Sequence, residues 1–471
     1  MTTEESPLLA SEAEDARQKA HDALYNRFSR SKKRVIVAVV SWAGLLPLFV
    51  SGSFVPAIPQ IAREFHSTGP IINLAVSLSI LTAALANLLW ARYSGFYGRR
   101  PIYLFSFPLL CIGSLGTAAA QDVPQLMIWR VVQAFGASSG MSVGAAVIGD
   151  IYRLEERGTA IGVFFAACLL GPALAPPAGG LAAYYASWRV MQLALFVAGL
   201  SAVLLVVFFL PETVHPDVKG LTRYLREKGN ENKKWAWVWL NPFSSLGLLR
   251  SPNVMAVTLA GTFVLITDFV LLIPLAYTIG VRYDIKNEAL IGAFFLPAGL
   301  GNVIGAPLGG NLSDRVVAKW RAKRKGEWVP EDRLRATTVG ALVLVPLSIF
   351  LSGLVTEFVE GTPGIVMNLV CLFFNGIGID MVLSPSNAYY VDVLHKKSAE
   401  VMAASSGFRA VVMAMTAAVV LPIINAIGVA ATNALSAGLA WLGFILLWCT
   451  IRYGAQMRAW LDVGYSTIED A

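Results

Sequence analysis

The chain has 471 residues, of which 56% are hydrophobic and 14% are charged. Soluble domains carry about 25% charged residues, so this chain lacks the charge to cover a water-facing surface of its size. The formal net charge of +7 does not indicate nucleic-acid binding, because the basic residues lie between apolar runs. The four cysteines lie inside apolar runs and fit small packing residues better than a disulfide framework.

Residues 1–34 are polar and mixed in charge, and they lack the basic start and short apolar core of a signal peptide. They predict a disordered tail. Within it, Glu4 and the pair Leu8-Leu9 fit an acidic dileucine sorting pattern, with a chance match as the alternative.

Twelve apolar runs follow the tail, each long enough to cross a hydrocarbon core about 30 Å thick, which takes roughly 20 residues of helix. They cover residues 35–58, 71–94, 101–120, 124–150, 158–184, 188–210, 254–279, 288–312, 337–357, 364–391, 399–423 and 429–451. The sequence therefore predicts an all-α integral membrane protein with twelve transmembrane helices, called spans 1 to 12 below.

Lys and Arg are distributed unevenly among the predicted loops. With the N-terminus inside, the outer loops hold only Arg63, Arg189, Arg282 and Lys286. Cytosolic loops of multi-pass proteins carry an excess of Lys and Arg, so both termini are predicted to be cytosolic. The plasma membrane is the expected location, and the dileucine pattern keeps the vacuolar membrane as an alternative.

The longest polar stretch after the tail, residues 213–252, divides the chain into bundles at 35–212 and 253–453, with a second tail at 454–471. The first part of this linker is highly charged and predicts a flexible segment. The tryptophan-rich part at 235–249 predicts an interfacial helix, because aromatic residues anchor at the headgroup level. A disordered linker is the alternative.

An internal repeat relates the two bundles. The loops after spans 2 and 8 carry similar sequences, starting at Gly95 and Gly310. Matching loops in two six-span halves predict two pseudo-symmetric six-helix bundles with the substrate held between them near the midplane of the membrane.

Two motifs make the chain resemble a known family. Span 4 carries Arg130-Val-Val-Gln133-Ala-Phe-Gly136, and span 5 carries a glycine- and proline-rich run. With Pro56, Pro59 and Pro211-Glu212-Thr213, these motifs resemble the major facilitator superfamily, and within it the fungal twelve-span drug:proton antiporter family, over nearly the whole chain. The motif residues in span 5 are Gly171, Pro172, Pro176, Gly179 and Gly180.

The resemblance implies the major facilitator fold, a small-molecule substrate, protons as the coupling ion and export by antiport. No cofactor is implied, and a monomer in the lipid bilayer is expected. The shape of span 5 follows from its residues alone: the glycines let helices approach closely, and the prolines remove backbone hydrogen bonds and bend the helix.

Three positions depart from the family pattern. Ala134 and Ala175 replace glycines, which is mild because alanine still allows close helix packing. Gly95 stands where the family has an aspartate that is thought to latch the loop after span 2. Asp314, in the matching loop of the other half, is a candidate to replace it.

Four ionisable groups lie away from the span ends, namely Arg130, Asp268, Asp380 and Arg409. A charge at the bilayer centre costs about 2.5–3.5 kcal/mol on insertion scales and usually marks function. These four are predicted to couple transport to protons, with proton and substrate competing for an acid or for its arginine partner. Asp268 is the favoured proton site, since it has no partner on its own helix and Pro274 breaks that helix soon after.

Each of these predictions has a structural alternative. Asp380 and Arg409 could form an ion pair that only holds spans 10 and 11 together. Arg130 resembles an arginine that relatives use in proton coupling, but it could equally be held by hydrogen bonds to neighbouring backbone carbonyls.

Polar and aromatic side chains in the spans are candidates for lining the substrate path. The predicted substrate-binding residues are Gln133, Asn375, Asn387, Tyr389 and Trp42. A cytosolic gate of salt bridges is predicted where short loops meet, with the setting of topology as the alternative role of its basic residues. Its residues are Gly98, Arg99, Arg100, Asp150, Arg157, Asp314 and Arg315.

The sequence thus predicts a secondary transporter that exports a small organic molecule, drug-like compound, organic acid or secondary metabolite, by proton antiport with alternating access. A proton-coupled importer or uniporter on the same fold is the alternative. An enzyme is not expected, because no His/Cys cluster has metal-binding spacing, and the lack of a phosphate-binding loop excludes an ATP-driven pump.

Overall fold

A computed structural model describes residues 27–152, 154–214, 219–228, 236–285, 287–327, 329–394 and 398–460. Within these ranges all long elements are helical, and twelve segments are long and apolar enough to cross a membrane, as predicted. They are Arg30–Glu64, Gly69–Tyr97, Arg99–Ala119, Val123–Ile151, Ala160–Tyr185, Trp188–Phe209, Pro252–Leu272, Glu288–Lys323, Pro330–Phe358, Gly361–Val393, Glu400–Ile427 and Val429–Trp460. The dileucine pattern and the end of the second tail lie outside the described residues.

The main helix contacts of the first six spans recur in the last six. In the first half, span 1 packs on span 5, span 2 on span 4, and span 3 on spans 4 and 6. In the second half, span 7 packs on span 11, span 8 on span 10, and span 9 on spans 10 and 12. The halves meet through spans 2 and 11 and through spans 5 and 8, which correspond under the same repeat. The fold is therefore two pseudo-symmetric six-helix bundles, as the repeated loops predicted.

Two ends of the bundle are distinguished below. The end that carries Arg99 and Asp150 is called the inner face, following the predicted orientation, and the end that carries Arg63 and Glu288 is called the outer face. The basic residues Arg63, Arg189 and Arg282, predicted to lie outside, all pair with acids at the outer face.

The buried apolar core is divided unevenly between these ends. One cluster at the outer end contains residues of both halves, including Ile61 and Leu126 of the first and Leu271 and Phe295 of the second. Toward the inner face each half has a cluster of its own. Apolar packing thus joins the halves at the outer end.

Span 5 is the helix that comes closest to its neighbours. A Cβ atom on Gly179 would collide with the carbonyl of Ser53 in span 1, and one on Gly180 with the carbonyl of Glu288 in span 8. Gly292 of span 8 lies equally close to the carbonyl of Pro176. These glycines let span 5 touch both span 1 and the opposite half, as their type and spacing predicted.

Spans 2 and 11 form the other contact between the halves through side-chain hydrogen bonds. The Asn73 amide donates to the carbonyl of Ala417, and the Ser77 hydroxyl donates to the carbonyl of Ala414 at 2.6 Å. Backbone carbonyls of span 11 therefore accept bonds from the other half.

The linker differs from its prediction. Its α-helix is Gly220–Glu227, within the charged part that was predicted to be flexible, and residues 236–243 of the tryptophan-rich part are not helical. Leu221 and Leu225, one turn apart, are buried there, and Tyr224 packs against Phe96 of span 2 at 6.1 Å. An apolar pair at helical spacing decided the position of the helix.

The tryptophan-rich segment runs along span 2 without regular secondary structure. Trp237 and Trp239 are 69% and 75% exposed, and the Tyr97 hydroxyl donates to the carbonyl of Ala236 at 2.9 Å. A short 3-10 turn, Ser244–Arg250, then leads into span 7. The two tryptophans are exposed, whereas the residues on either side of each are partly buried. This alternation is typical of an extended backbone.

Several span ends also differ from the sequence boundaries. Span 1 begins at Arg30, inside the predicted tail, and span 8 runs to Lys323 instead of residue 312. Span 7 ends at Leu272 and the chain turns at Pro274, where the Tyr277 amide donates to the Pro274 carbonyl at 2.7 Å. Span 12 continues to Trp460, past residue 451 where it was predicted to end, and Arg458 in this extension forms an ion pair with the buried Glu331.

We expect Gly179→Ala to destabilise the protein, because the added methyl group must displace the Ser53 carbonyl, and overpacking of this kind costs about 1–3 kcal/mol. Gly162→Ala, in the same helix, is the matched control, since a Cβ there meets nothing and alanine favours a helix by up to about 1 kcal/mol. Unfolding of the detergent-solubilised protein, followed with a dye that reacts with its four free cysteines, measures both. Equal melting temperatures for the two variants would contradict the close contact.

Candidate functional site

Two side-chain contacts between spans 7 and 10 show how these helices align, and hence how Asp268 and Asp380 are placed along the bundle axis. The Asn375 amide donates to the Thr267 hydroxyl at 3.3 Å, and the Thr258 and Tyr390 hydroxyls lie 3.0 Å apart. The helices are antiparallel. Counted from the first contact, Asp268 and Asp380 differ by about six residues in level, or about 9 Å at 1.5 Å per residue; counted from the second, they lie at the same level. Both side chains are partly buried. The two acids therefore lie within about two helical turns of each other along the span axis.

Arg409 of span 11 lies against span 7 near Gly261, about two helical turns from Asp268, and its hydrogen-bonding capacity is largely unused. It is 8% exposed, and its Nη2 donates to the Ser406 hydroxyl at 3.2 Å. Its Nη1 is buried and has no hydrogen-bond partner. Within the described ranges, no carboxylate comes within 4.0 Å of Arg409, so the Asp380–Arg409 ion pair required by the structural alternative is not formed here.

Arg130 contrasts with Arg409 because its surroundings are built around it. It is fully buried, and its Nη1 donates to Gln133 at 2.8 Å and to the carbonyl of Val50 in span 1 at 3.2 Å. The guanidinium group lies 4.4 Å from the ring centroid of Phe54. This arrangement includes the backbone carbonyl bond that the structural alternative predicted, and Nε and Nη2 remain without partners.

The predicted substrate-binding residues are placed differently from one another. Gln133 donates to Ser114 and Gln192 inside the first half, both at 2.9 Å. Asn375 is buried between spans 7, 9 and 10, where it donates to Ser348 at 3.0 Å.

The other three lie farther from a common centre. Tyr389 is buried and accepts from Asn253 at 2.9 Å. Trp42 points toward span 6, where its indole donates to Ser201 at 3.0 Å. Asn387 is partly buried, and its amide oxygen has no partner. The five residues therefore do not line one surface.

At the inner face, Arg99 is held by acceptors of its own half. Its Nε donates to Asp150 at 3.0 Å and its Nη1 to the Ser94 hydroxyl at 2.8 Å. Glu212, which follows span 6, accepts from the backbone amides of Arg99 and Thr213, each at 3.0 Å. Asp150, Ser94 and Glu212 thus surround the arginine where the family aspartate is missing.

The loop turns at Gly98, which has φ = 108°, a conformation that side chains other than glycine rarely adopt. A Cβ at this position would also collide with the Glu212 carboxylate. At Gly95, by contrast, a Cβ would meet nothing, so its lack of a side chain is not a packing requirement.

In the second half, Asp314 pairs with Arg333 at 2.9 Å, and Arg333 also pairs with Asp392 at 2.6 Å. Asp314 therefore pairs within the second half and does not stand beside Arg99 in the place of the missing aspartate. Arg100 donates to the carbonyl of Val207 at 2.9 Å, and Arg315 is exposed. Arg157 belongs to the span-5 helix, but its side chain lies outside what the structure describes.

The outer face carries an ion pair between the halves that the sequence reasoning missed. Arg63, at the outer end of span 1, pairs with Glu288, at the start of span 8, at 2.5 Å. The backbone carbonyl of the same Glu288 lies against Gly180. The sequence did contain a signal for this pair, because Glu288 begins span 8 and Arg63 is one of the few basic residues predicted to lie outside. Glu212 and Arg333 were also missed, and amino-acid type alone did not distinguish them from other loop charges.

A family model decides the identity of this fold. The Major Facilitator Superfamily model matches residues 40–418, most of the chain. The chain belongs to the Major Facilitator Superfamily. It is a multi-pass membrane protein. Members of its family are transporters of small molecules and not enzymes.

Among relatives of this facilitator, MFS antiporter QDR3 of Candida albicans is 24% identical over 97% of this chain and 81% of its own length. Citrate exporter 1 of Aspergillus niger is 25% identical over 92% of this chain and 88% of its own. These relatives support membership of the fungal drug:proton antiporter family. The crystal structure of a D-xylose-proton symporter has the same fold, with a TM-score of 0.62, 14% identity and coverage of 88% of this chain and 97% of that one.

We expect Asp150→Asn to lower the stability of the facilitator, because Arg99 would lose its ionic acceptor in a site where both side chains are about 15% exposed. Loss of a partner in such a site costs about 1–3 kcal/mol. Asp314→Asn is the matched control, since Asp314 is 74% exposed and exposed pairs are worth about 0–1 kcal/mol. Thermal unfolding in detergent measures both, and an equal or larger loss for Asp314→Asn would refute the assignment.

Proposed function

We propose that this transporter exports a small organic molecule by exchange for protons, and that Asp268 and Asp380 form the proton site. The observation that carries the proposal is the set of three charges within spans 7, 10 and 11 of the second half. Asp268 and Asp380 lie on the adjacent spans 7 and 10, and Arg409, whose Nη1 is buried and unpartnered, lies against span 7 near Gly261. Charges inside a membrane are kept where they act on a substrate or an ion, and these three are not used up by structure.

The antiport step follows from competition at the acids. A proton arriving from outside neutralises one carboxylate and weakens its hold on a substrate bound there. After release of the substrate outside and return of the transporter, the proton leaves to the cytosol and the acid accepts the next substrate. Proton and substrate are therefore never carried in the same direction. Asp268 is the favoured carrier, because it lies near the outer end of its span, just before Pro274.

The charge of the substrate determines whether the substrate moves against the protons or together with them. A cation or a hydrogen-bond donor competes with the proton for the carboxylate, which gives antiport. A carboxylate substrate would bind Arg409 more tightly once the neighbouring acid is protonated, which gives cotransport. Antiport at these acids therefore favours neutral or cationic substrates.

The conformation fits the loading step of an exporter. The Arg63–Glu288 pair and the shared apolar cluster hold the outer ends of the two halves together. The ion pairs of Arg99 and Arg333 at the inner face each stay within one half. With both termini cytosolic and the protein in the plasma membrane, substrate enters from the cytosol in this state. The names of the relatives, an antiporter and an exporter, support the same direction.

We expect Asp268→Asn to abolish transport driven by a pH gradient while leaving substrate exchange at equal pH intact, because the amide cannot carry the proton. Proteoliposomes measure this with two probes, the cation ethidium and labelled citrate. The expected loss is at least tenfold for the gradient-driven flux of ethidium. Glu357→Gln, at an exposed acid near the outer end of span 9, is the control and should behave as wild type.

Three results would count against the proposal. Movement of the probe in the same direction as the protons would indicate the importer alternative. Unchanged gradient-driven flux in both Asp268→Asn and Asp380→Asn would remove the proton site from these acids. A preference for citrate over ethidium would overturn the argument from substrate charge.

A further inference from the structure

A groove opens at the inner ends of spans 3 and 6, away from the path between the halves. Its volume is about 570 Å³. Its lining combines two cations, one acid and an apolar wall, contributed by Arg100, Pro101, Leu104, Phe105, Glu212 and Lys219. No residue of the proposed proton site belongs to it.

The groove faces outward toward lipid. The halves meet through spans 2, 5, 8 and 11, and span 3 lies against spans 4 and 6 of its own half. Phe105 is 60% exposed, and Phe208, near the end of span 6, is 74% exposed. Large apolar side chains with this exposure on a membrane-spanning helix contact acyl chains, so the apolar wall continues into the hydrocarbon region.

The polar end of the groove has unused positive charge. Arg100 donates through Nη2 to the carbonyl of Val207 at 2.9 Å, and its Nε is buried without a partner. Lys219 is partly exposed and immediately precedes the linker helix.

The single acid of the groove is already compensated. The Oε1 atom of Glu212 accepts from the amides of Arg99 and Thr213 at 3.0 Å and from that of Val214 at 3.2 Å. Three amide donors occupy this oxygen, and the two cations outnumber the one acid at this end of the groove. Cations at the membrane surface beside an apolar wall match an anionic head attached to acyl chains.

We propose that this groove binds a phospholipid of the membrane leaflet at the inner face, with the phosphate between Arg100 and Lys219 and an acyl chain along Leu104 and Phe105. The bound lipid bridges the start of span 3 and the start of the linker helix. It thereby anchors the linker to the first half through a molecule of the membrane itself. This site is separate from the transport path and does not depend on the transported substrate.

Native mass spectrometry of the detergent-purified full chain tests the proposal with three probes. They are dioleoylphosphatidylglycerol, which has phosphate and acyl chains, dioleoylglycerol, which lacks the phosphate, and inorganic phosphate, which lacks the chains. We expect the wild type to retain the phosphatidylglycerol and neither of the others. Lys219→Gln should weaken this binding about fivefold, the effect of one basic residue near an anionic lipid, while Lys219→Arg should retain it.

Lys319→Gln is the matched control, since Lys319 is exposed near the inner face of the other half and does not line the groove. Phe105→Ala provides a second variant on the acyl side, and melting without lipid verifies that each variant folds. Equal weakening by Lys219→Gln and Lys319→Gln would reduce the binding to a general surface attraction and overturn the proposal. Binding of inorganic phosphate alone, or no effect of either groove variant, would overturn it as well.

Discussion

The close approach of span 5 to spans 1 and 8 is the constraint on which the rest of the structure depends. In lipid, apolar contact gives helices little reason to associate, so packing of small residues and polar bonds must hold them together. Gly179 and Gly180 bring the backbone of span 5 against carbonyls of both neighbours. One helix thereby connects its own half to the opposite half, and the contact lies at the outer end, where the shared apolar cluster also lies.

The two intramembrane arginines show how the fold assigns different roles to the same residue type. Arg130 has a carbonyl, an amide and an aromatic ring around it, so its charge is distributed over spans 1 and 4. Arg409 has one weak hydroxyl contact and a buried nitrogen without a partner. A desolvated donor left unpaired is costly unless something binds there during the cycle. Arg130 keeps Nε and Nη2 without partners as well, so both arginines retain unpaired donors.

The two faces of the bundle are stabilised in different ways. At the outer face an ion pair and apolar packing cross between the halves, whereas at the inner face the arginines pair within their own half. Gly95 removes one acid from the inner loop, and Asp150, Ser94 and Glu212 supply the acceptors instead. Each half can thus move at the inner face as a unit without breaking the bonds of Arg99 or Arg333.

The sequence by itself determined the number of spans, the division into halves, the glycine contacts of span 5 and the identity of the mid-span charges. These features follow from run length, repeated loops and residue type, which are local properties of the chain. Only the tertiary structure decided that Arg130 bonds Gln133 and the Val50 carbonyl whereas Arg409 bonds Ser406, that Arg99 pairs with Asp150 rather than Asp314, and that Arg63 meets Glu288. Each of these depends on which distant helices become neighbours, and because many loop charges are alike in type, only packing selects their partners.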